Sequence, residues 1–197
     1  MEDKPIRINE ISDCRQRGIV CKGPNLDSSQ FFKHICNTII NHPSLTIQEK
    51  KYLINDLIRI RDTQNIIEET GEKRQCEYCN KQVIAITYCE SCIRNYLEKL
   101  FNKWTTRNDE LDKLIRECQL NVVSPSHIIE WIPFENFKNI EFKEDGIFSS
   151  VYIATWKNGP FKEWDAEKHE LKRGGNDTYI LKSLKNSKTA DELWPKN

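Results

Sequence analysis

Cys76-Glu-Tyr-Cys-Asn-Lys-Gln-Val-Ile-Ala-Ile-Thr-Tyr-Cys-Glu-Ser-Cys92 contains two C-x-x-C pairs, Cys76/Cys79 and Cys89/Cys92, with residues 80–88 between them. A tetrahedral zinc ion takes four soft ligands, and two such pairs supply them as knuckles, each biting one side of the metal. Residues Val83 to Tyr88 predict an extended or hairpin segment, and a helix beginning near Cys92 closes the site from the other side. A closed four-thiolate site leaves no position for water, so this zinc would organise structure and would not activate a nucleophile. Two redox-active pairs, two local disulfides and iron–sulfur ligation are the alternatives. Neither pair opens a helix after a strand in a βαβ context, and the spacing favours zinc.

Around this segment the chain divides into stretches of different period. Residues 1–28 mix charges with Gly18, Gly23 and Pro24 and read as a loosely ordered leader. Over 29–71 we expect a helical hairpin. Phe31, Phe32, Ile35, Ile39 and Ile40 share one helical face up to Pro43, and Thr46 with Glu49 forms a capping box that opens a second helix toward Gly71. Over 72–131 the four-cysteine knuckle is followed by a helix from Ile93 to Trp104 and another capped by Asn108. Cys118 falls on the apolar stripe of the latter. From 132 to 197 the pattern becomes short β-branched and aromatic runs, with strands expected at Asn139–Phe142, Ser150–Trp156 and Thr178–Leu184. The fold class is therefore α+β.

The last stretch also carries a resemblance. Tyr152-x-Ala-x-Trp156, Trp164-Asp, Ile180-Leu-Lys-Ser-Leu184, the Ile129-Glu-Trp-Ile-Pro133 approach, Phe101-x-x-Trp104 and the cysteine pairs occur in the order seen in a family of fungal protein-kinase-like proteins. That family is expanded in arbuscular mycorrhizal fungi and is similar to tyrosine-kinase-like kinases. The resemblance covers about Glu68 to Trp194 and implies an incomplete antiparallel sheet like the start of a kinase amino-terminal lobe, with Lys157–Asp177 as a charged insertion. It also implies an ATP-binding set of Gly146, Val151 and Lys182. With Val151 as anchor, the glycine positions of G-x-G-x-x-G-x-V fall at Glu144, Gly146 and Ser149. Glu144 puts a carboxylate where phosphates would approach, and Ile180 replaces the alanine that lines an adenine pocket.

The catalytic-loop pattern H-R-D-x-x-x-x-N and the D-F-G triplet occur nowhere in the chain. The helix expected at Thr189–Trp194 meets Pro195 before the glutamate that would pair with Lys182. The reading is thus a truncated, catalytically inactive kinase-like protein, stapled by zinc and acting through a protein partner. Its alternatives are the amino-terminal part of an ATP-dependent Ser/Thr or Tyr kinase and a zinc-dependent nucleic-acid binder.

With 30 basic and 30 acidic residues the formal charge is zero, so no global field draws the chain to nucleic acid or an anionic membrane. Around the knuckle, Lys73, Arg74, Lys81, Arg94, Lys99, Lys103 and Arg107, with Tyr78, Tyr88 and Trp104 nearby, are interleaved with Glu72, Glu77, Glu90 and Glu98, which disfavours nucleic acid there. Lacking an apolar signal region or a long apolar run, the chain is expected in the cytoplasm, with the nucleus open, and not in a membrane. Cys14, Cys21 and Cys36 lack a fourth ligand, and His34, His42, His127 and His169 stand apart from the knuckle as surface or core residues.

Overall fold

The computed structural model describes residues 28–185, so the expected leader (apart from Ser28) and the helix expected near 189–194 lie outside the described residues. The chain divides into two compact units, 1–65 and 66–197.

In the first unit, α1 (Ser28–Ile40) and α2 (Ile47–Ile67) form the expected antiparallel pair of amphipathic helices. Ile35, Ile39, Leu45 and Leu53 make their buried seam, with Phe31, Ile54 and Leu57 at its margin. The capping box is formed. The Thr46 N–H donates to Glu49 Oε2 at 2.9 Å, and the Glu49 N–H donates to Thr46 Oγ1 at 3.2 Å. At the other end of α1 the Lys50 ammonium donates to the Ile40 carbonyl at 2.7 Å, which satisfies one of the orphan acceptors of a helix terminus.

The second unit is mixed α+β. Its order is β1 (Arg74–Gln75), β2 (Gln82–Val83), α3 (Glu90–Glu98), α4 (Asp109–Leu120), β3 (Phe137–Asp145), β4 (Ser149–Trp156), β5 (Phe161–Asp165), β6 (Glu170–Arg173) and β7 (Asp177–Leu184). Strands β3, β4 and β7 form an antiparallel sheet in the order β3-β4-β7. Residues paired across an antiparallel ladder share a face. Phe142, Tyr152 and Leu181 therefore lie on one side with Ala154, Tyr179 and Trp156, while Val151, Ile153, Ile180 and Lys182 lie on the other. The first side builds a small core of Phe137, Ala154 and Trp156 under Ile132 and Phe134.

Two local expectations change. The stretch Ile93–Trp104, expected as one helix, is α3 followed by a separate 3₁₀ turn at Phe101–Lys103. The Leu100 N–H turns back to the Leu97 carbonyl at 2.9 Å, and Trp104 is extended. Leaving the helical path brings the Phe101 and Trp104 rings to the Arg116 guanidinium, 5.7 and 5.3 Å from their centroids, a contact a continuous helix would not make. The segment between the cysteine pairs, expected to be extended or a hairpin, contributes only β2, whose hairpin partner β1 lies on the other side of Cys76–Cys79.

Segment 157–177, which the resemblance casts as a charged insertion, is a β-hairpin. Asp165 closes its turn by accepting from the N–H groups of Glu167 and Lys168 at 3.0 and 3.1 Å, and Lys172 pairs with it at 2.8 Å. Lys172 and these amides hold the Asp165 carboxyl down at about 2. Phe161 and Leu171 point inward and join Ala85, Tyr88, Ile93, Leu97 and Val122 in one buried cluster. That cluster crosses the boundary that the change of period places between 131 and 132. At its edge Glu130 accepts from Arg173 Nη2 at 2.6 Å and from the Phe161 N–H at 3.3 Å, with the Arg173 guanidinium over the Phe161 ring at 3.9 Å. Burial nevertheless outweighs Arg173 and raises the Glu130 pKa.

The loop before α4 is organised by one buried carboxylate. Asp112 accepts from the Thr105 and Thr106 hydroxyls, both at 2.6 Å, and from the Thr106 N–H at 2.7 Å. Burial pushes this carboxyl up, but Thr105, Thr106 and Arg116 together outweigh it and hold it below its usual range. A carboxyl depressed in the folded state stabilises above its unfolded pKa, about 3.9, and loses that contribution as pH falls through the folded value. Asp112→Asn is expected to cost about 1.5–3 kcal/mol at neutral pH, the range for hydrogen bonds to a charged group. The gap to wild type should close on acidification, as read by thermal melts at several pH values. An equal gap at all pH values would count against this role.

Candidate metal centre

The four cysteines converge. The Sγ atoms of Cys76, Cys79, Cys89 and Cys92 all lie within 4.8 Å of one another, and among the described residues they form the one such group of potential metal ligands. Two approaches cross the pairs, Cys76 to Cys92 at 3.7 Å and Cys79 to Cys89 at 3.6 Å. A tetrahedral ion with metal–sulfur bonds of about 2.3 Å sets its sulfurs ~3.8 Å apart. No disulfide joins any two of the four.

Local sequence explains both knuckles. After Cys79, Asn80 takes the left-handed conformation with φ 57°, which asparagine tolerates. Its N–H donates to the Cys76 carbonyl, and the Cys76 N–H donates to the Lys81 carbonyl, both at 2.9 Å. Cys89 is the N-cap of α3, its sulfur accepting from the Cys92 N–H at 3.3 Å, so the first helical turn sets the second pair. Two clamps then bring the knuckles together. The Arg74 guanidinium donates to the carbonyls of Ala85 and Tyr88, and the Ile84 N–H donates to Glu90 Oε1 at 2.9 Å.

Four sulfurs in this space cannot all ionise without a cation. Burial raises the Cys76 thiol, but the N–H groups of Cys79 and Tyr78 and the neighbouring thiols outweigh it and bring it down to about 7. Burial pushes Cys89 up to about 11, and burial with the other three sulfurs raises Cys92 further. Cys89 and Cys92 therefore keep their protons at neutral pH, and a divalent cation would expel them.

The β5–β6 hairpin completes the surroundings. Trp164 packs on the cysteine cluster, and His169 stacks on Tyr78, inside the first knuckle, with centroids 3.6 Å apart. Neither contact has a local signal in the sequence, because each joins residues far apart along the chain. His169 is thus a stacking partner beside the site and not one of the converging ligands. Cys118 and Cys36 are half-buried single thiols, and Cys14 and Cys21 lie outside the described residues.

The residues of the ATP-binding set sit on the three-stranded sheet. Val151 and Lys182 are direct partners across β4 and β7, so their side chains share a face. Gly146 lies in the β3–β4 turn, where its N–H donates to the Ser149 carbonyl at 2.9 Å. The turn tip carries Ile147 and Phe148, 85% and 80% exposed. Among the described residues no helix is long and apolar enough to cross a membrane.

No family model matches this chain, and no curated protein or solved structure matches it either.

Proposed function

We propose that Cys76, Cys79, Cys89 and Cys92 hold one zinc ion as the structural centre of a non-catalytic, protein-kinase-like module that works through protein contacts. The observation that carries the zinc assignment is the convergence of four thiols at separations suited to a tetrahedral ion. A full thiolate set with no open position gives the metal a holding role. The ordered cysteines, together with the antiparallel register that pairs Val151 with Lys182, support the kinase-like reading. Phosphoryl transfer needs positioned metal ions and a base, and the catalytic-loop and D-F-G patterns that supply them in kinases do not occur in the 197 residues.

Purified protein is expected to contain one zinc per chain by elemental analysis and to transfer no phosphate from Mg-ATP to itself or to a generic protein substrate. Metal-free, well-folded protein would refute the zinc assignment. Phosphate transfer that is lost in Lys182→Ala would refute the non-catalytic one.

A further inference from the structure

A cleft of about 940 Å³ opens between the 3₁₀ turn after α3 and the segment leading into β3. It is at the upper end of the range for ligand sites, about 300–1,000 Å³. Phe101, Trp104, Trp131 and Phe134 contribute aromatic rings to its walls, and Lys103, Arg107 and Arg116 contribute three cations against the single carboxylate of Glu135.

These groups are held in place. The Phe101 and Trp104 rings meet edge to face at 6.4 Å, and Arg116 bridges them, donating to the Phe101 carbonyl at 3.2 Å. The buried Arg116 Nε–H has no hydrogen-bond partner. Arg107 has φ 63°, a conformation a long side chain rarely adopts, and its N–H is fixed by Thr105 Oγ1 at 3.0 Å. Thr105 and Thr106 are anchored in turn on Asp112. Lys103 and Arg107 are exposed at the rim, and neither has an ion-pair partner among the described residues. The fold therefore holds two unpaired cations beside a fixed aromatic wall.

We infer that this cleft binds a nucleotide unit, its base stacked on the aromatic wall and its phosphate held at the rim by Arg107 and Lys103. Flat rings and cations together match a base carrying a phosphate, whereas a simple acidic peptide would use only the cations. The neutral overall charge confines the attraction to this patch. This site goes beyond the zinc-centred reading and lies apart from Gly146, Val151 and Lys182.

The test is binding of fluorescent oligo(dT) and oligo(U), and of AMP and UMP by quenching of tryptophan emission, to the zinc-loaded full chain at low salt. Poly-L-glutamate serves as the competing polyanion. Arg107→Ala and Lys103→Ala are each expected to weaken binding at least about fivefold and to flatten its salt dependence, while Lys143→Ala leaves it unchanged. Oligonucleotides binding more tightly than mononucleotides would identify a single strand as the source of the unit; equal affinity would identify the free nucleotide. The inference is overturned if no nucleotide probe binds, if poly-L-glutamate binds as tightly through the same residues, or if Lys182→Ala and not Arg107→Ala removes binding. Zinc content, measured on the same variants, separates failure of this site from failure of the metal assignment.

Discussion

Stripping zinc with a strong chelator at neutral pH is expected to unfold the 68–185 part of the chain while α1 and α2 keep their helicity. The ligands join two short strands of two residues each to the first turn of α3, and β1 and β2 are too short to hold each other. Binding of a structural zinc is worth about 10–16 kcal/mol in apparent terms at pH 7. That equals or exceeds the stability of a typical domain, about 5–15 kcal/mol, so the fold does not survive its loss. Far-UV circular dichroism should lose the α3 and α4 contribution and recover it when zinc is returned. Cys92→Ser should behave like the chelated protein, and Cys118→Ser, at a half-buried site away from the cluster, like the wild type. Acid should mimic the chelator, because Cys89 and Cys92 hold their protons unless a cation displaces them, so zinc affinity falls as pH falls. Unchanged dichroism in metal-free protein would end the assignment.

Phe161→Ala is expected to cost about 3–5 kcal/mol, the range for emptying a buried aromatic site. Phe161 is 7% exposed, packs in the cluster with Ile93 and Leu97, and carries the Arg173 guanidinium on its face. Because β5 also places Trp164 against the cysteines, the variant should release zinc to a weak chelator faster as well as melt earlier. Phe148→Ala provides the contrast. Its ring is 80% exposed at the β3–β4 tip, so its change should stay within about 0.5 kcal/mol. Equal effects of the two substitutions would show that the hairpin is an appendage and not part of the metal-bearing core.

Much of this architecture was legible because it rests on short-range rules. The Thr46–Glu49 capping box, the Asn108 cap, which accepts from the Leu111 N–H at 3.0 Å, and the three sheet strands follow from residues within a few positions of one another. The break after α3 was not legible. Leu97, Leu100, Phe101 and Trp104 continue a helical stripe, and only Arg116, arriving from α4, makes the departure favourable. The β5–β6 hairpin was hidden for a related reason. Its composition is that of a charged connection, and the value of Phe161, Trp164 and Leu171 appears only once α3 presents a surface to receive them.

By itself the sequence determined the four cysteines that converge, the helical pair and the positions of the strands, since C-x-x-C spacing, caps and period express the geometry of neighbouring residues. Tertiary structure alone decided that the β5–β6 hairpin packs on α3 beside the cysteines, that His169 stacks on Tyr78, and that Trp104, Arg107 and Trp131 meet around a cleft. Those arrangements depend on surfaces brought together by burial of apolar area, a force without direction along the chain and so without a local pattern to read.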